Sequence, residues 1–343
     1  MTESVRSALA AILEAHGLEG DVAPISRDRF ASREPRVREW IDSGCHGTMS
    51  WLATSVEPRV APWVEWPWAK SFVVVKLPYG LPTPGSSGAS PRIAGYARGR
   101  DYHYRMEGIL KKLQSELETA FPGSRSFRFA DDQHLPEVEM GVQAGLGWRG
   151  RNTLLLTRHG SAFHLGGLLW SVDVDSFPPP HRDHCGTCSA CVDACPTGAL
   201  STTGCLDARR CLSHWNIEDR ATTEGIPAQA ARGEVYGCDI CQQVCPWNRG
   251  IQVEDALPPT WPVTWEEWVD LCRPGGGFQS LFTKTPLRRS GRHKTLKVLL
   301  RNLWNLSPSR ARELSVRVLE TETHQPLREW IRSTLDDPPA KPL

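Results

Sequence analysis

A chain of 343 residues with 40% hydrophobic content and a formal net charge of +1 is long enough to divide its core among two or three units. Its balanced charge excludes a protein whose whole surface is tuned to nucleic acid or to acidic partners. No run approaches the roughly eighteen uninterrupted apolar residues of a membrane span, and the amino terminus lacks the basic region and cleavage site of a secretion signal, so the expectation is a cytoplasmic chain with no membrane partner.

In chain order, Thr2 to Gly20 reads as an amphipathic helix with Val5, Leu9, Ile12 and Leu13 on one side. Ser71 to Leu77 and Phe163 to Val172 are apolar, strand-like runs, Phe127 to Ala130 is a shorter one, and Met106, Ile109, Leu110, Leu113, Leu117 and Phe121 recur at helical spacing. Pro82 to Pro91 reads as an exposed loop, and Ser176 to Pro180 as a boundary. Residues 1–178 are therefore expected to form a mixed α/β domain in a chain of α+β class.

Eleven cysteines in a chain without a secretion signal point to metal or redox work, because the cytosol keeps thiols reduced. Cys45, Cys205 and Cys272 stand apart and read as buried or partly buried free thiols. Cys185-x-x-Cys188-x-x-Cys191-x-x-x-Cys195-Pro196 is the bacterial ferredoxin run, whose first three thiolates turn around one cube while the fourth points to a second. Cys238-x-x-Cys241-x-x-x-Cys245-Pro246 lacks one ligand of such a run, and Cys211 is the candidate to supply it. By ligand exchange, one [4Fe–4S] cluster takes Cys185, Cys188, Cys191 and Cys245, and the other takes Cys195, Cys211, Cys238 and Cys241. The competing reading is a pair of four-thiolate zinc sites. Three ligands compressed into seven residues and two Cys-Pro endings favour cubanes. The ferredoxin-like module is placed at 179–250.

Residues 251–275 read as a linker, and 276–336 as a helical region. Thr285-Pro-Leu-Arg-Arg289 and Gln325-Pro-Leu-Arg-Glu329 recur forty residues apart, and Leu296, Leu299, Leu300 and Leu303 follow at helical spacing, as in HEAT-like repeats. Lys284, Arg288, Arg289, Arg292, Lys294, Lys297 and Arg301 make a basic run without an acidic side chain. That run suits a phosphate backbone, or is simply a solvated helix face.

His46-Gly-Thr-Met-Ser-Trp-Leu52, Gly99-Arg-Asp-Tyr-His103, Ala144-Gly-Leu-Gly-Trp148, Gly150-Arg-Asn-Thr153, Leu206-Asp-Ala-Arg-Arg-Cys211, Tyr236-Gly-Cys-Asp-Ile-Cys-Gln242 and Cys245-Pro-Trp-Asn248, in that order and with both cysteine runs, resemble the epoxyqueuosine reductase family over almost the whole chain. The resemblance implies a cobalamin-dependent reductase that removes the epoxide oxygen of epoxyqueuosine at the wobble position of tRNA, the last step of queuosine biosynthesis. It implies electron flow from the two clusters to cobalamin, tRNA bound by its anticodon arm, an electron donor of unspecified identity, and a monomer. On this resemblance Asp131 is the proton donor, with its neighbour Asp132 as the alternative, and Arg59, Asn152, Thr153 and Ser213 are the candidate contacts to the corrin's amides and phosphate. His134 reads as a polar turn residue. The chain departs from the family pattern at Val138, where relatives commonly carry a basic residue, and at Arg151, where lysine is usual. Those departures keep open a related, dehalogenase-like reductase acting on a small molecule; a zinc-stabilised nucleic-acid-binding protein is the non-enzymatic alternative.

Overall fold

The run Ser71–Pro78 forms the buried middle of a four-stranded sheet whose strand order is Glu19–Pro24, Ser71–Pro78, Phe163–Trp170, Ser126–Phe129, with every neighbouring pair antiparallel. Its continuous apolar composition follows from burial on both faces, since a strand with one wet face would alternate. The computed structural model describes residues 2–83, 89–219, 233–253, 258 and 260–338.

On one face of the sheet, Val5, Leu9 and Leu13 of the helix Thr2–Ala15 and Met106, Leu110, Leu113 and Leu117 of the helix Tyr102–Ala120 pack on Val73, Val75, Leu168 and Trp170. On the other, Phe30, Trp66, Met140 and Ala144 cover Phe72, Val74 and Leu169. The result is an α/β/α sandwich. Gly167 interrupts the apolar strand where a Cβ would lie 2.0 Å from the Val73 carbonyl oxygen, so the close strand approach requires glycine.

The amino-terminal helix is shorter than its apolar spacing suggests. It stops at Ala15, the chain turns at Gly17 with φ +61°, and Glu19–Pro24 becomes an edge strand on Ser71–Pro78. Glu19-Gly-Asp-Val-Ala-Pro24 carries too few apolar positions to advertise a strand; register with Ser71–Pro78 creates it. Pro82, read as the start of a loop, pairs with Val253, while residues 84–88 of that loop lie outside the described residues.

The stretch read as a linker, 251–275, holds the helix Trp265–Leu271, started by a capping box between Thr264 and Glu267 and anchored by fully buried Trp265 and Trp268. It belongs to a second core that joins Ile93, Ala97, Val235 and Tyr236 to the helices Gly291–Leu306, Pro308–Leu319 and Gln325–Asp336. The recurring Pro-Leu-Arg segments differ in backbone: Pro286–Arg289 is a 3-10 turn, whereas Gln325 opens an α-helix. Both nevertheless bury their leucines completely, Leu287 and Leu327. Among the described residues no helix is long and apolar enough to cross a membrane.

Candidate active site and cluster module

Asp131 follows the strand Ser126–Phe129 and takes φ +60°; it and Thr153, φ +68°, are the two non-glycine residues with positive φ among the described residues. An L-residue holds that conformation only where neighbours over-determine it. Here they do. Asp132 Oδ1 accepts from the Ala130 N–H at 3.1 Å, and Glu137 Oε1 accepts from the Asp131 N–H at 2.6 Å. Asp132 is thereby committed to the turn, while the exposed Asp131 carboxylate accepts from the Tyr102 hydroxyl at 2.8 Å and lies 4.0 Å from His103 Nε2.

Tyr102 and His103 open the helix Tyr102–Ala120, whose N-cap, Asp101, is 1% exposed and accepts both the His103 backbone N–H at 3.1 Å and the Nδ1 of the same residue at 2.6 Å. Tyr102 stacks on His164 with centroids 3.8 Å apart and planes at 10°. Burial, and then the nearby His103, push the His164 imidazole down to about 4, so it stands neutral near pH 7. Burial and then the Asp131 charge push the Tyr102 phenol far above its ordinary range. Burial, with the charges of Asp131 and Asp132 behind it, raises the Glu137 carboxyl to about 8 against the opposing Asp131 N–H. The half-buried Arg59 guanidinium donates to Ser55 Oγ at 3.2 Å; burial lowers its pKa, and the charges of Glu137 and Asp131 oppose that shift. Arg59 thus belongs to the carboxylate cluster around Asp131.

Two cavities meet here. One of about 190 Å³ is lined by Asp131, Glu137, Val138, Leu154, Ser161 and Phe163, and one of about 690 Å³ by Tyr96, Arg98, Arg100, Asp101, Tyr104 and Arg105. Tyr79, Tyr102 and His164 line both and form the wall between them. The wall is aromatic and uncharged, with one carboxylate at its end, which suits the delivery of a proton to a group held in the smaller cavity.

Cys185, Cys188, Cys191 and Cys245 surround a cavity of about 280 Å³ together with Asn152, His184 and Trp247. The other four cysteines also gather: after burial, which is the larger cause, Cys211 raises the thiols of Cys238 and Cys241, and Cys195 raises those of Cys211 and Cys241. Cys191 also acts on Cys241, so the two quartets adjoin. Backbone N–H groups favour the thiolate at several of these sulfurs, including Ala199 to Cys195 at 3.3 Å. A single tetrahedral ion draws its sulfurs to about 2.3 Å. A cubane separates its thiolates around a cube. Cys272 is buried, and Cys45 and Cys205 are partly buried.

Asn152 is 4% exposed; its Oδ1 accepts from the Leu154 N–H at 3.3 Å, and its buried Nδ2 has no partner within the protein. Thr153 follows it at φ +68°, and Ser213 lies in the first turn of the helix Leu212–Ile217, directly after Cys211. Arg151 Nη2 donates to the Gly186 carbonyl at 2.6 Å and so fastens the first cysteine run. Tyr79 and His164 carried no signal in the sequence, since each sits inside or beside an apolar strand. Asp101 and His103 were visible only as part of a motif.

The basic run divides. Lys284, Arg288 and Arg289 are exposed at the rim of the Asp131 site, where Arg288 lies 3.8 Å from Asp101 and Arg289 lies 3.3 Å from His103 Nε2. The others turn inward: Arg292 pairs with Glu322 at 2.5 Å, Lys294 donates to the Ile217 carbonyl at 2.8 Å, Lys297 lies over Trp330, and Arg301 is buried over Trp215. It is not one solvated face, because helix packing absorbs more than half of it.

Residues 184–248 match the family described as a 4Fe-4S double cluster binding domain, and residues 59–132 match the family described as epoxyqueuosine reductase QueG, DUF1730. The epoxyqueuosine reductase of Cyclobacterium marinum is 33% identical over 279 residues, which cover 79% of this chain and 88% of that one. The solved epoxyqueuosine reductase from Streptococcus thermophilus superposes with a TM-score of 0.82 at 23% identity, covering 98% of this chain and 91% of its own. A structure of epoxyqueuosine reductase with an epoxyqueuosine-modified tRNA-Tyr stem loop gives a TM-score of 0.77 at 22% identity, with 98% and 99% covered. The solved structures carry the fold, and the sequence identity over most of two chains carries the kinship: this chain belongs to the epoxyqueuosine reductase family and is an oxidoreductase with a double [4Fe–4S] module.

Proposed function

We propose that the chain binds the anticodon stem loop of a tRNA carrying epoxyqueuosine and reduces it to queuosine at the site of Asp131, with electrons passing through the two clusters to cobalamin. The observation that carries this reading is the division of labour between adjacent carboxylates: Asp132 holds the turn, and Asp131 is presented at positive φ to the Tyr102 hydroxyl at the edge of the smaller cavity.

The overall step converts an epoxide to an alkene and water, consuming two electrons and two protons. Cys185, Cys188, Cys191 and Cys245 hold the cluster beside Asn152 and Trp247, and Cys195, Cys211, Cys238 and Cys241 hold the other. The paired cavities and their uncharged aromatic wall suit a large amide-bearing corrin, and the unpartnered Asn152 amide stands at the cysteine cavity. Bound there, cobalamin supplies a strongly reducing cobalt centre. Asp131 gives its proton to the leaving oxygen, Tyr102 fixes the carboxylate's direction, and Glu137 fixes its backbone. Asn152, Thr153 and Ser213 contact the cofactor, whereas Arg59 tunes the carboxylates. Residues 1–178 form the cofactor-binding catalytic domain, 179–250 the cluster domain, and 276–336 HEAT-like helices that approach the tRNA through Lys284, Arg288 and Arg289.

The test is anaerobic reconstitution with iron, sulfide and cobalamin, then mass spectrometry of a stem loop bearing epoxyqueuosine after addition of a chemical reductant. Queuosine formed only with cobalamin supports the reading. About eight irons, as two cubanes require, with bound corrin but no queuosine, would overturn the substrate.

A further inference from the structure

The stoichiometry of the reaction leaves a second proton to account for. Asp131, in its protonated form, supplies one. Tyr102 does not release its own near neutral pH, held up first by burial, and the Glu137 oxygen that faces Asp131 accepts from its backbone. Beyond the assignment of Asp131 as the acid, on which this inference rests, we propose that Asp101 and His103 form a proton-return dyad that recharges Asp131 within each turnover.

The geometry is that of an oriented imidazole. Asp101 Oδ1 receives His103 Nδ1 at 2.6 Å, which places a proton on Nδ1 and leaves Nε2 to exchange one. Asp101 cannot swing away: it caps the helix, its N–H donates to the Lys284 carbonyl at 2.8 Å, and Arg288 lies 3.8 Å from its other oxygen. His103 Nε2 stands between two groups, Arg289 Nη2 at 3.3 Å and Asp131 Oδ2 at 4.0 Å. A neutral ring accepts from Arg289. A protonated ring repels it and faces the Asp131 carboxylate 4.0 Å away. The ring is 24% exposed on its side chain, so water can load it, whereas the deeper His164 is held neutral by burial.

The step balances simply. The Nε2–H bond of His103 breaks, an O–H bond forms on Asp131 Oδ2, and the ring regains a proton from solvent. The charged and titratable groups facing the ring are Asp101, Asp131, Tyr102 and Arg289, with His164 behind Tyr102, Arg105 beyond it, and Arg288 acting through Asp101. His103 is therefore a positioning and proton-supplying residue that works through Asp131.

The experiment uses enzyme loaded with both clusters and cobalamin and the epoxyqueuosine stem loop. His103→Ala should lower kcat about 100-fold with KM and iron content unchanged. It should also erase the imidazole limb of the kcat–pH profile and regain turnover on addition of free imidazole. Asp101→Asn, which keeps an oxygen for the helix cap but removes the charge, should move that limb to lower pH. In cofactor-free protein, His103 should show the Nδ1–H tautomer by nitrogen NMR. A His103→Ala profile like that of the wild type, or a loss that imidazole does not rescue, overturns the dyad while leaving Asp131 in place. Turnover retained in Asp131→Asn instead overturns the acid assignment beneath it.

Discussion

The backbone N–H of Asp131 donates to the Glu137 carboxyl at 2.6 Å, so the residue proposed as the acid is held by a second carboxyl six positions later. Glu137 is pushed up to about 8, first by burial, which leaves it protonated in the folded chain over a range where the unfolded chain has ionised it. The folded state therefore binds the extra proton, and this contribution to stability is present below pH 4.5 and fades as pH rises towards 8. Glu137→Gln keeps an acceptor for the Asp131 N–H and removes the titration. Melting temperatures of the two proteins should run closest at pH 5 and diverge by pH 8.5, with the wild type falling further.

Asp131→Asn should retain both clusters and lose at least 100-fold in kcat, within the usual span for a general acid. Asp132→Asn retains the oxygen that accepts from the Ala130 N–H and should stay within about twofold of wild type, a rough bound for a surface-exposed isostere. Steady-state rates on the modified stem loop decide it, and the reverse pattern would move the acid by one residue.

Cys245 comes from the second cysteine run but lines the cavity of the first three cysteines. Cys245→Ser should consequently strip iron from that quartet and spare the other, taking the content from about eight towards about four. Iron analysis, with electron paramagnetic resonance of the reduced protein, reads the outcome. Loss of the signal associated with Cys238 and Cys241 instead would refute the crossed assignment.

Glu322 has a fully buried side chain and pairs with Arg292 at 2.5 Å. Burial pushes it up, but Arg292 and the His324 N–H outweigh burial and hold it at about 2. Its pKa is depressed, so its stabilisation is present above the unfolded value of 4.5 and is lost as pH falls towards 2. Arg292→Ala strands the carboxylate and should destabilise the chain by roughly 3 kcal/mol, read by urea denaturation at pH 7.

Lys284 is exposed at the rim, and Arg301 is buried over Trp215. Lys284→Ala should weaken stem-loop binding and reduce the slope of log K against log salt by about one. Arg301→Lys should leave that slope unchanged. Fluorescence anisotropy at several salt concentrations separates the two, and equal slopes for Lys284→Ala and wild type would remove that lysine from the interface.

The cysteine quartets could be nominated because ligand spacing is a local property: a run spaced like Cys185, Cys188 and Cys191 suits one cube whatever the rest of the chain does, and the structure sets those three with Cys245 around one cavity. The strands Ser71–Pro78 and Phe163–Trp170 were legible for a similar reason, since burial of most of their length writes itself as a largely apolar run. Glu19–Pro24 was not, because its strand character comes from a partner fifty residues away. Asp131 could be nominated but not separated from Asp132, since the difference lies in which carboxylate the turn consumes. The basic run misled for a related reason: charge is read one residue at a time, whereas its availability depends on Glu322, Trp215 and the Ile217 carbonyl, none of which is near it in sequence.

The short strand Glu234–Tyr236 ends two residues before Cys238 and is held from several directions: it pairs with Arg92–Ile93, its Glu234 carbonyl accepts from Asn216 at 3.1 Å and Asn302 at 3.0 Å, and its Tyr236 hydroxyl donates to the Pro286 carbonyl at 2.8 Å. Segments 142 residues before Glu234 and 68 after it therefore converge on the strand that leads to that cysteine. The position of Cys238 is thus tied to packing far from it in sequence, so a substitution at Asn302 or Pro286 can loosen a cysteine that it never touches.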